Sequence, residues 1–351
     1  MKRIVLTGGG TAGHVTPNLA LLPALKELSF DIHYIGTKSG IERKLVAREG
    51  VTYHPVSAGK LRRYFDFKNF TDLFKIALGF FQALVLMVKL RPGVVFSKGG
   101  FVSCPVVWAA RLFGIPVIIH ESDITPGLAN KLCAPFAQKI CFSFPETEAH
   151  IKEKKRVYTG LPVRDSLLRG SATQGRKLCS FDNELPVILV MGGSLGAKVI
   201  NETIRESLDT LLEEFNICHL CGKGALIERN VPGYCQFEYV NEELAHLMAA
   251  ADIVVSRSGA TSLFEFLALK KPNLLIPLST GASRGDQILN AQSFEKQGFS
   301  RVLLQEEMTV TTLTENIRDL YRDRRRYVEA MGSAKALEGK AKIVELLTEV
   351  L

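Results

Sequence analysis

Ile4-Val5-Leu6-Thr7-Gly8-Gly9-Gly10-Thr11-Ala12-Gly13-His14 is a short apolar run that breaks into glycine. Val187-Ile188-Leu189-Val190-Met191-Gly192-Gly193-Ser194-Leu195-Gly196-Ala197-Lys198 repeats that plan in the second half of the chain. A β-branched run of four or five residues suits a strand buried on both faces, and the glycines suit a tight turn into a helix. A second pair follows the same logic. Val95-Phe96-Ser97-Lys98-Gly99-Gly100 is matched by Val254-Val255-Ser256-Arg257-Ser258-Gly259.

Working outward, apolar runs at Ile4–Leu6, Ile32–Ile35, Val94–Phe96, Val117–Ile119 and Lys139–Phe142 alternate with turns and helix-like segments. A second series comprises Val187–Met191, Ile217–Leu220, Phe237–Val240, Ile253–Ser256, Asn273–Ile276 and Arg301–Leu304. Such alternation predicts βαβ units, hence an α/β chain of two Rossmann-like domains with parallel sheets. The halves meet near Gly160-Leu161-Pro162-Val163-Arg164, and Arg169–Glu184 reads as a polar surface loop. A chain of 351 residues is long enough for two cores. Ligands of open parallel sheets lie beyond the strand carboxyl ends, so two facing sheets are expected to put four glycine loops around an interdomain cleft.

The bulk numbers leave the partner open. Lys and Arg number 44 against 36 Asp and Glu, a net charge of +8, which fits nucleic acid, anionic lipid or phosphorylated substrates. The start, Met1–Thr7, is too short for a signal-peptide apolar region, giving the expectation of a cytoplasmic protein. Cys218 and Cys221 form a C-x-x-C on a strand, where residues three apart face opposite ways, so chelation is not expected.

Gly8, Gly10 and Gly13 satisfy G-x-G-x-x-G, a loop whose N–H groups and helix start can approach phosphate. A dinucleotide fold also needs an acid at the tip of the second strand, which here ends Ile35-Gly36-Thr37-Lys38. Nicotinamide binding is therefore not expected, and no P-loop motif is present. His14, after the first loop, is either a locally bonded helix-start residue or a base. Ser256–Glu265 reads as a loop opening a helix, with Ser258, Thr261 and Ser262 as caps or phosphate donors. Glu265 is either a surface carboxylate or an acceptor for ribose hydroxyls. Gly285–Ala291 offers polar side chains at another helix start.

The ordered set Gly8–Asn18, Ser97–Ser103, His120–Asp123, Thr159–Arg164, Gly192–Ala197, Ser256–Glu265 and Asp286-Gln287 resembles glycosyltransferase family 28 along the whole chain. The resemblance implies the GT-B fold and inverting transfer of N-acetylglucosamine. The donor would be UDP-N-acetylglucosamine (UDP-GlcNAc) and the acceptor undecaprenyl-diphospho-N-acetylmuramoyl-pentapeptide (lipid I), giving lipid II of peptidoglycan. The alternative is another GT-B UDP-sugar enzyme, a glycolipid glycosyltransferase or a UDP-GlcNAc epimerase.

The resemblance also implies domains. Residues 1–162 would take the acceptor and the membrane, 163–332 would bind the donor, and a helix over about 333–351 would pack back on the first domain. Thr11, Ala12, Gly13, Asp123, Arg164, Ser194, Val240, Gly259, Ala260, Thr261, Ser262, Leu263, Phe264, Glu265 and Gln287 would contact the donor. Many members read His-Glu-Gln-Asn where this chain has His120-Glu121-Ser122-Asp123. An ionised Asp123 accepts hydrogen bonds but cannot donate. His14 is the first candidate base, with Asp123 or Glu121 as alternatives. Without Asp-x-Asp at a strand end, no metal and no cofactor is expected. No nucleic-acid partner is expected either, whereas other cell-wall synthesis proteins are.

A lipid acceptor requires membrane access. Ile76–Val88 is apolar over 13 residues, punctuated by Lys75, Gln82 and Lys89, too short to span a bilayer. Lys60, Arg62, Arg63, Tyr64, Phe65, Lys68 and Phe70 lie upstream, a composition suited to an anionic surface. The expectation is a peripheral protein on the cytoplasmic face of the membrane.

Overall fold

A computed structural model of the chain describes residues 2–59, 68–193, 196–279, 285–334 and 338–351. The chain divides into two compact units, Met1–Arg164 with Lys335–Leu351, and Asp165–Ala334. The first unit carries strands β1 (Arg3–Thr7), β2 (Asp31–Thr37), β3 (Thr52–Val56), β4 (Val94–Ser97), β5 (Val117–Glu121), β6 (Lys139–Phe142) and β7 (Arg156–Tyr158). Its helices are α1 (Thr16–Glu27), α2 (Ile41–Arg48), α3 (Lys68–Leu90), α4 (Ser103–Leu112) and α5 (Leu128–Cys133).

The second unit has α6 (Ala172–Leu178), β8 (Val187–Met191), α7 (Lys198–Glu206), α8 (Leu208–Leu211), β9 (Asn216–Leu220), β10 (Tyr234–Phe237) and α9 (Glu243–Ala250). It continues with β11 (Ile253–Ser256), α10 (Ala260–Ala268), β12 (Asn273–Leu275), α11 (Asp286–Lys296), β13 (Ser300–Val302), α12 (Val310–Arg322) and α13 (Arg324–Gly332). The last helix, α14 (Gly339–Glu349), belongs to the first unit.

The sheets run β3-β2-β1-β4-β5-β6-β7 and β10-β9-β8-β11-β12-β13, and every recorded pairing is parallel. Both orders reverse direction beside the first strand of the unit, between β1 and β4 and between β8 and β11. At such a switch point the flanking connections leave on opposite faces and open a crevice at the carboxyl edge. The apolar runs become the central strands. Ile4, Val5, Leu6, Val94, Val95 and Phe96 are fully buried, as are Ile188, Leu189, Val190, Ile253, Val254 and Val255.

Four readings change. The Arg169–Glu184 stretch is not simply a loop, because α6 forms there, capped by the Ser171 hydroxyl accepting from Gln174 N at 3.4 Å. Gly170 and Gly175 let it lie against α9, where a β-carbon at either position would fall about 2 Å from a backbone oxygen of Ala245 or His246. Strand β10 is Tyr234–Phe237 rather than Phe237–Val240, because the turn at Gly233 (φ +83°) starts it early. Strands β3 and β7, edge strands with half-exposed patterns, were missed by a search for continuous apolar runs.

The fourth change concerns α3. The helix is 23 residues long, and Thr71–Leu90 has the length and composition to cross a membrane. Three of its polar residues are engaged locally. Lys75 pairs with Asp72 at 2.9 Å, and Gln82 accepts from Ser57 N at 2.7 Å. One face is built into the core through Ala83, Met87 and Leu90. Phe74, Leu78, Phe81, Val85 and Val88, spaced by four and three residues, lie exposed along the other.

Helix α14 closes the first unit's core. Ile343 and Leu347 are fully buried beside Leu21, Leu22 and Leu25 of α1. We expect Leu347→Ala to cost about 2–5 kcal/mol of stability. Urea denaturation followed by tryptophan fluorescence reads this directly, because the single Trp108 lies in the first unit.

Candidate functional site

In the first unit, the loops after β1, β4 and β5 interlock at the carboxyl edge. A β-carbon on Gly100 (φ +83°) would sit 2.3 Å from Gly9 O, and one on Gly10 (φ +87°) 2.8 Å from the Phe101 ring. Only glycine supplies both the left-handed backbone and the close approach. Thr11 is exposed, and Ala12, Gly13 and His14 are half-buried around a single 3-10 turn. Thr11 Oγ1 lies 3.0 Å from His14 Nδ1, which fixes the ring against its own loop.

A carboxylate does reach the tip of β2, from a place the strand-end search did not cover. Glu42, on α2, is fully buried. It accepts from Gly10 N at 3.3 Å, Thr37 N at 3.0 Å and Thr37 Oγ1 at 2.5 Å. A G-x-G-x-x-G loop ordinarily turns its N–H groups toward phosphate, but here Gly10 already has an internal anion.

Glu121, at the end of β5, is also buried and fully engaged. One oxygen accepts from Ser122 N at 2.8 Å and Asp123 N at 3.1 Å. The other accepts from Gly127 N at 2.9 Å and Asn130 Nδ2 at 2.8 Å. Burial and the neighbouring Asp123 charge push its carboxyl upward. This bonding suits a group that shapes the 121–130 loop, and it fits poorly with the alternative of Glu121 as the base. Asp123 is half-buried on that loop.

Sequence reasoning passed over Lys98. It is fully buried, and its ammonium donates to Ser122 Oγ. Burial pulls it down to about 8, while the Glu121 and Asp123 carboxylates act in the opposite direction. His120 donates from Nε2 to Gly160 O at 2.9 Å, and burial and Lys98 hold it neutral, well below its ordinary value. Nothing local marks it in the sequence, since its partner Ser122 lies 24 positions away.

In the second unit, the loops after β11 and β12 are stitched together. Arg257 is buried and donates to Ile276 O at 2.9 Å, Pro277 O at 3.2 Å and Gln305 Oε1 at 2.7 Å. Ser258 Oγ donates to Gln287 O at 2.8 Å, and Gln287 Oε1 accepts from Leu278 N at 3.1 Å. Ser258 thus serves the scaffold rather than a cap. Gly259 is the N-cap of α10, with nothing within 4 Å of where its β-carbon would be. That helix start has no acidic residue in its first turn and no side-chain cap, and Thr261 and Ser262 there are half-exposed. An uncapped helix N-terminus favours an anion.

Ala260, Leu263, Phe264 and Glu265 are buried, so Glu265 is not a surface carboxylate. Phe264 packs edge-on to Phe294 at 5.5 Å. Val240 is buried in the connection after β10. The structure groups Gly259–Glu265 with Gln287 in this unit, and Thr11–His14, Glu121 and Asp123 in the first. Arg164 ends the first unit rather than opening the second. Ser194 lies outside the described residues, as do Lys60, Arg62, Arg63, Tyr64 and Phe65, and the side chains of Lys68 and Phe70.

Comparison with known proteins places these features. The family model for the glycosyltransferase family 28 N-terminal domain matches residues 4–142, and that for its C-terminal domain matches 187–347. A Clostridium kluyveri protein named UDP-N-acetylglucosamine–N-acetylmuramyl-(pentapeptide) pyrophosphoryl-undecaprenol N-acetylglucosamine transferase is 58% identical, covering 99% of both chains. The crystal structure of Acinetobacter baumannii MurG superposes with TM-score 0.75 at 27% identity, covering 99% of this chain and 100% of that one. A glycotransferase of kitacinnamycin shares the fold, with TM-score 0.78 at 18% identity over 99% of each chain.

Glu42 gives this site a direct test. Glu42→Ala should speed hydrogen exchange at the Gly10 and Thr37 amides and cost about 1–3 kcal/mol of stability. Unchanged exchange at both amides would mean that the carboxylate does not hold the loop.

Proposed function

The chain belongs to glycosyltransferase family 28, and on that footing we propose that it transfers N-acetylglucosamine from UDP-GlcNAc to lipid I, forming lipid II. The reading is carried by full-length similarity to transferases of that name, on a fold with glycine loops at the switch point of both sheets.

The two units take different parts. The open start of α10 offers N–H groups, Thr261 and Ser262 to the donor diphosphate, and buried Glu265 accepts from the ribose hydroxyls. Val240, Gly259, Ala260, Leu263, Phe264 and Gln287 line the nucleotide contact, with Ser194 assigned by resemblance. Thr11, Ala12, Gly13, Asp123 and Arg164 contact the sugar and diphosphate. Stabilising the leaving diphosphate falls to backbone donors and the Arg164 guanidinium. Inversion needs a base for the acceptor hydroxyl, and His14 is that base. Its Nδ1 is held by Thr11, the arrangement that orients an imidazole for proton transfer. Asp123 is the alternative, and Glu121 is better suited to ordering the loop.

Attachment to the membrane is peripheral and at the cytoplasmic face. The exposed α3 stripe enters the interface while Ala83, Met87 and Leu90 stay in the core, which a spanning helix would have to abandon. The basic residues just before α3 add attraction to anionic headgroups.

Incubation with UDP-GlcNAc and lipid I should yield lipid II by thin-layer chromatography. UDP release without that product would favour another UDP-sugar enzyme. His14→Ala should lower kcat at least about 100-fold, and near-wild-type turnover would sink the base assignment. Phe74→Ser with Phe81→Ser should lower sedimentation with anionic phospholipid vesicles at least about tenfold, given the apolar area lost. Equal binding would remove α3 as the contact.

A further inference from the structure

A fully buried lysine is expensive unless something nearby needs its charge. Lys98 follows the last residue of β4, at the switch point of the first sheet. Its ammonium donates to Ser122 Oγ, and Ser122 sits between Glu121 and Asp123. The groups facing it are the Glu121 and Asp123 carboxylates, the neutral His120 ring and the buried Cys141 thiol. Glu121 already has four donors of its own. Asp123 is the carboxylate of this group on the half-buried loop, and it is the one assigned to the sugar.

We propose that Lys98 is a positioning residue for the transfer reaction, its buried ammonium acting through Ser122 as the fixed counter-charge that keeps Asp123 ionised and its loop in place. This rests on the glycosyltransferase reading above. It also gives a physical account of aspartate at position 123. An aspartate in a half-buried loop beside Glu121 meets like-charge repulsion, which the Lys98 ammonium bound to the adjacent Ser122 offsets. The same coupling runs backwards, so Asp123 helps keep Lys98 charged, against the burial that draws it down to about 8.

The sign of each effect follows. Removing the ammonium raises the Asp123 carboxyl, so the acid limb of kcat/KM moves to higher pH. Removing the Asp123 charge lowers Lys98, so activity at alkaline pH is lost earlier.

The test uses full-length protein, UDP-GlcNAc and lipid I over a pH series, with fluorescence of the single Trp108 as the check that the first unit of each variant is folded. Lys98→Met should lower kcat about tenfold or more and move the acid limb up by about one pH unit, the usual reach of a nearby charge. Adding Asp123→Asn to Lys98→Met should recover part of the loss, because the uncompensated charge is gone. Asp123→Asn alone keeps the test alive if Lys98→Met fails to fold, and should move the alkaline limb to lower pH. Additive losses in the double variant, or an alkaline limb unmoved by Asp123→Asn, would overturn the proposal. A wild-type protein that makes no lipid II would instead overturn the glycosyltransferase reading itself.

Discussion

In each unit the strand order reverses beside the first strand, and all strands point the same way. Every loop that leaves a carboxyl end therefore crowds onto one edge, and the reversal opens a gap between two of them. The loops can share that edge only if their backbones nearly touch. Gly100 against Gly9 and Gly196 against Cys221 O, where a β-carbon would fall 2.3 and 2.1 Å from a carbonyl oxygen, show how little room remains. The glycine loops are the covalent consequence of that crowding, and ligand access is a consequence of the gap.

The two edges are built alike, down to their helix starts. In the first unit, internal carboxylates hold loop amides, with Glu42 on Gly10 and Thr37 and Glu121 on Ser122, Asp123 and Gly127. These loops are set before any ligand arrives. At the switch point of the second unit, α7 and α10 both begin without an acidic residue in the first turn, as α1 and α4 do in the first unit. An anion brought to the first glycine loop meets internal competition from Glu42 at Gly10 N.

The central strands and all four glycine loops were legible because they are local: a β-branched run breaking into glycine has few other readings. Edge strands β3 and β7 were not, since their residues are half-exposed and carry no apolar run. Helix α6 was hidden by Gly170 and Gly175, which look like loop residues in sequence and act as packing surfaces against α9. Among site residues, Thr11–His14 and Gly259–Glu265 could be placed from their motifs. Glu42 and Lys98 could not, because what matters about each is a partner that only the fold brings near: Gly10 for Glu42, Ser122 for Lys98.

The first unit is interrupted in sequence by the whole of the second. Its last core residues, Ile343 and Leu347, leave the ribosome only after Asp165–Ala334 has been made. At about 5–20 residues per second, those 334 − 164 = 170 residues take roughly 10–30 s. During that interval the apolar groove on α1 has no lid. The nascent chain must keep Leu21, Leu22 and Leu25 from other partners until its final helix arrives, so the N-terminal half is synthesised first and completed last.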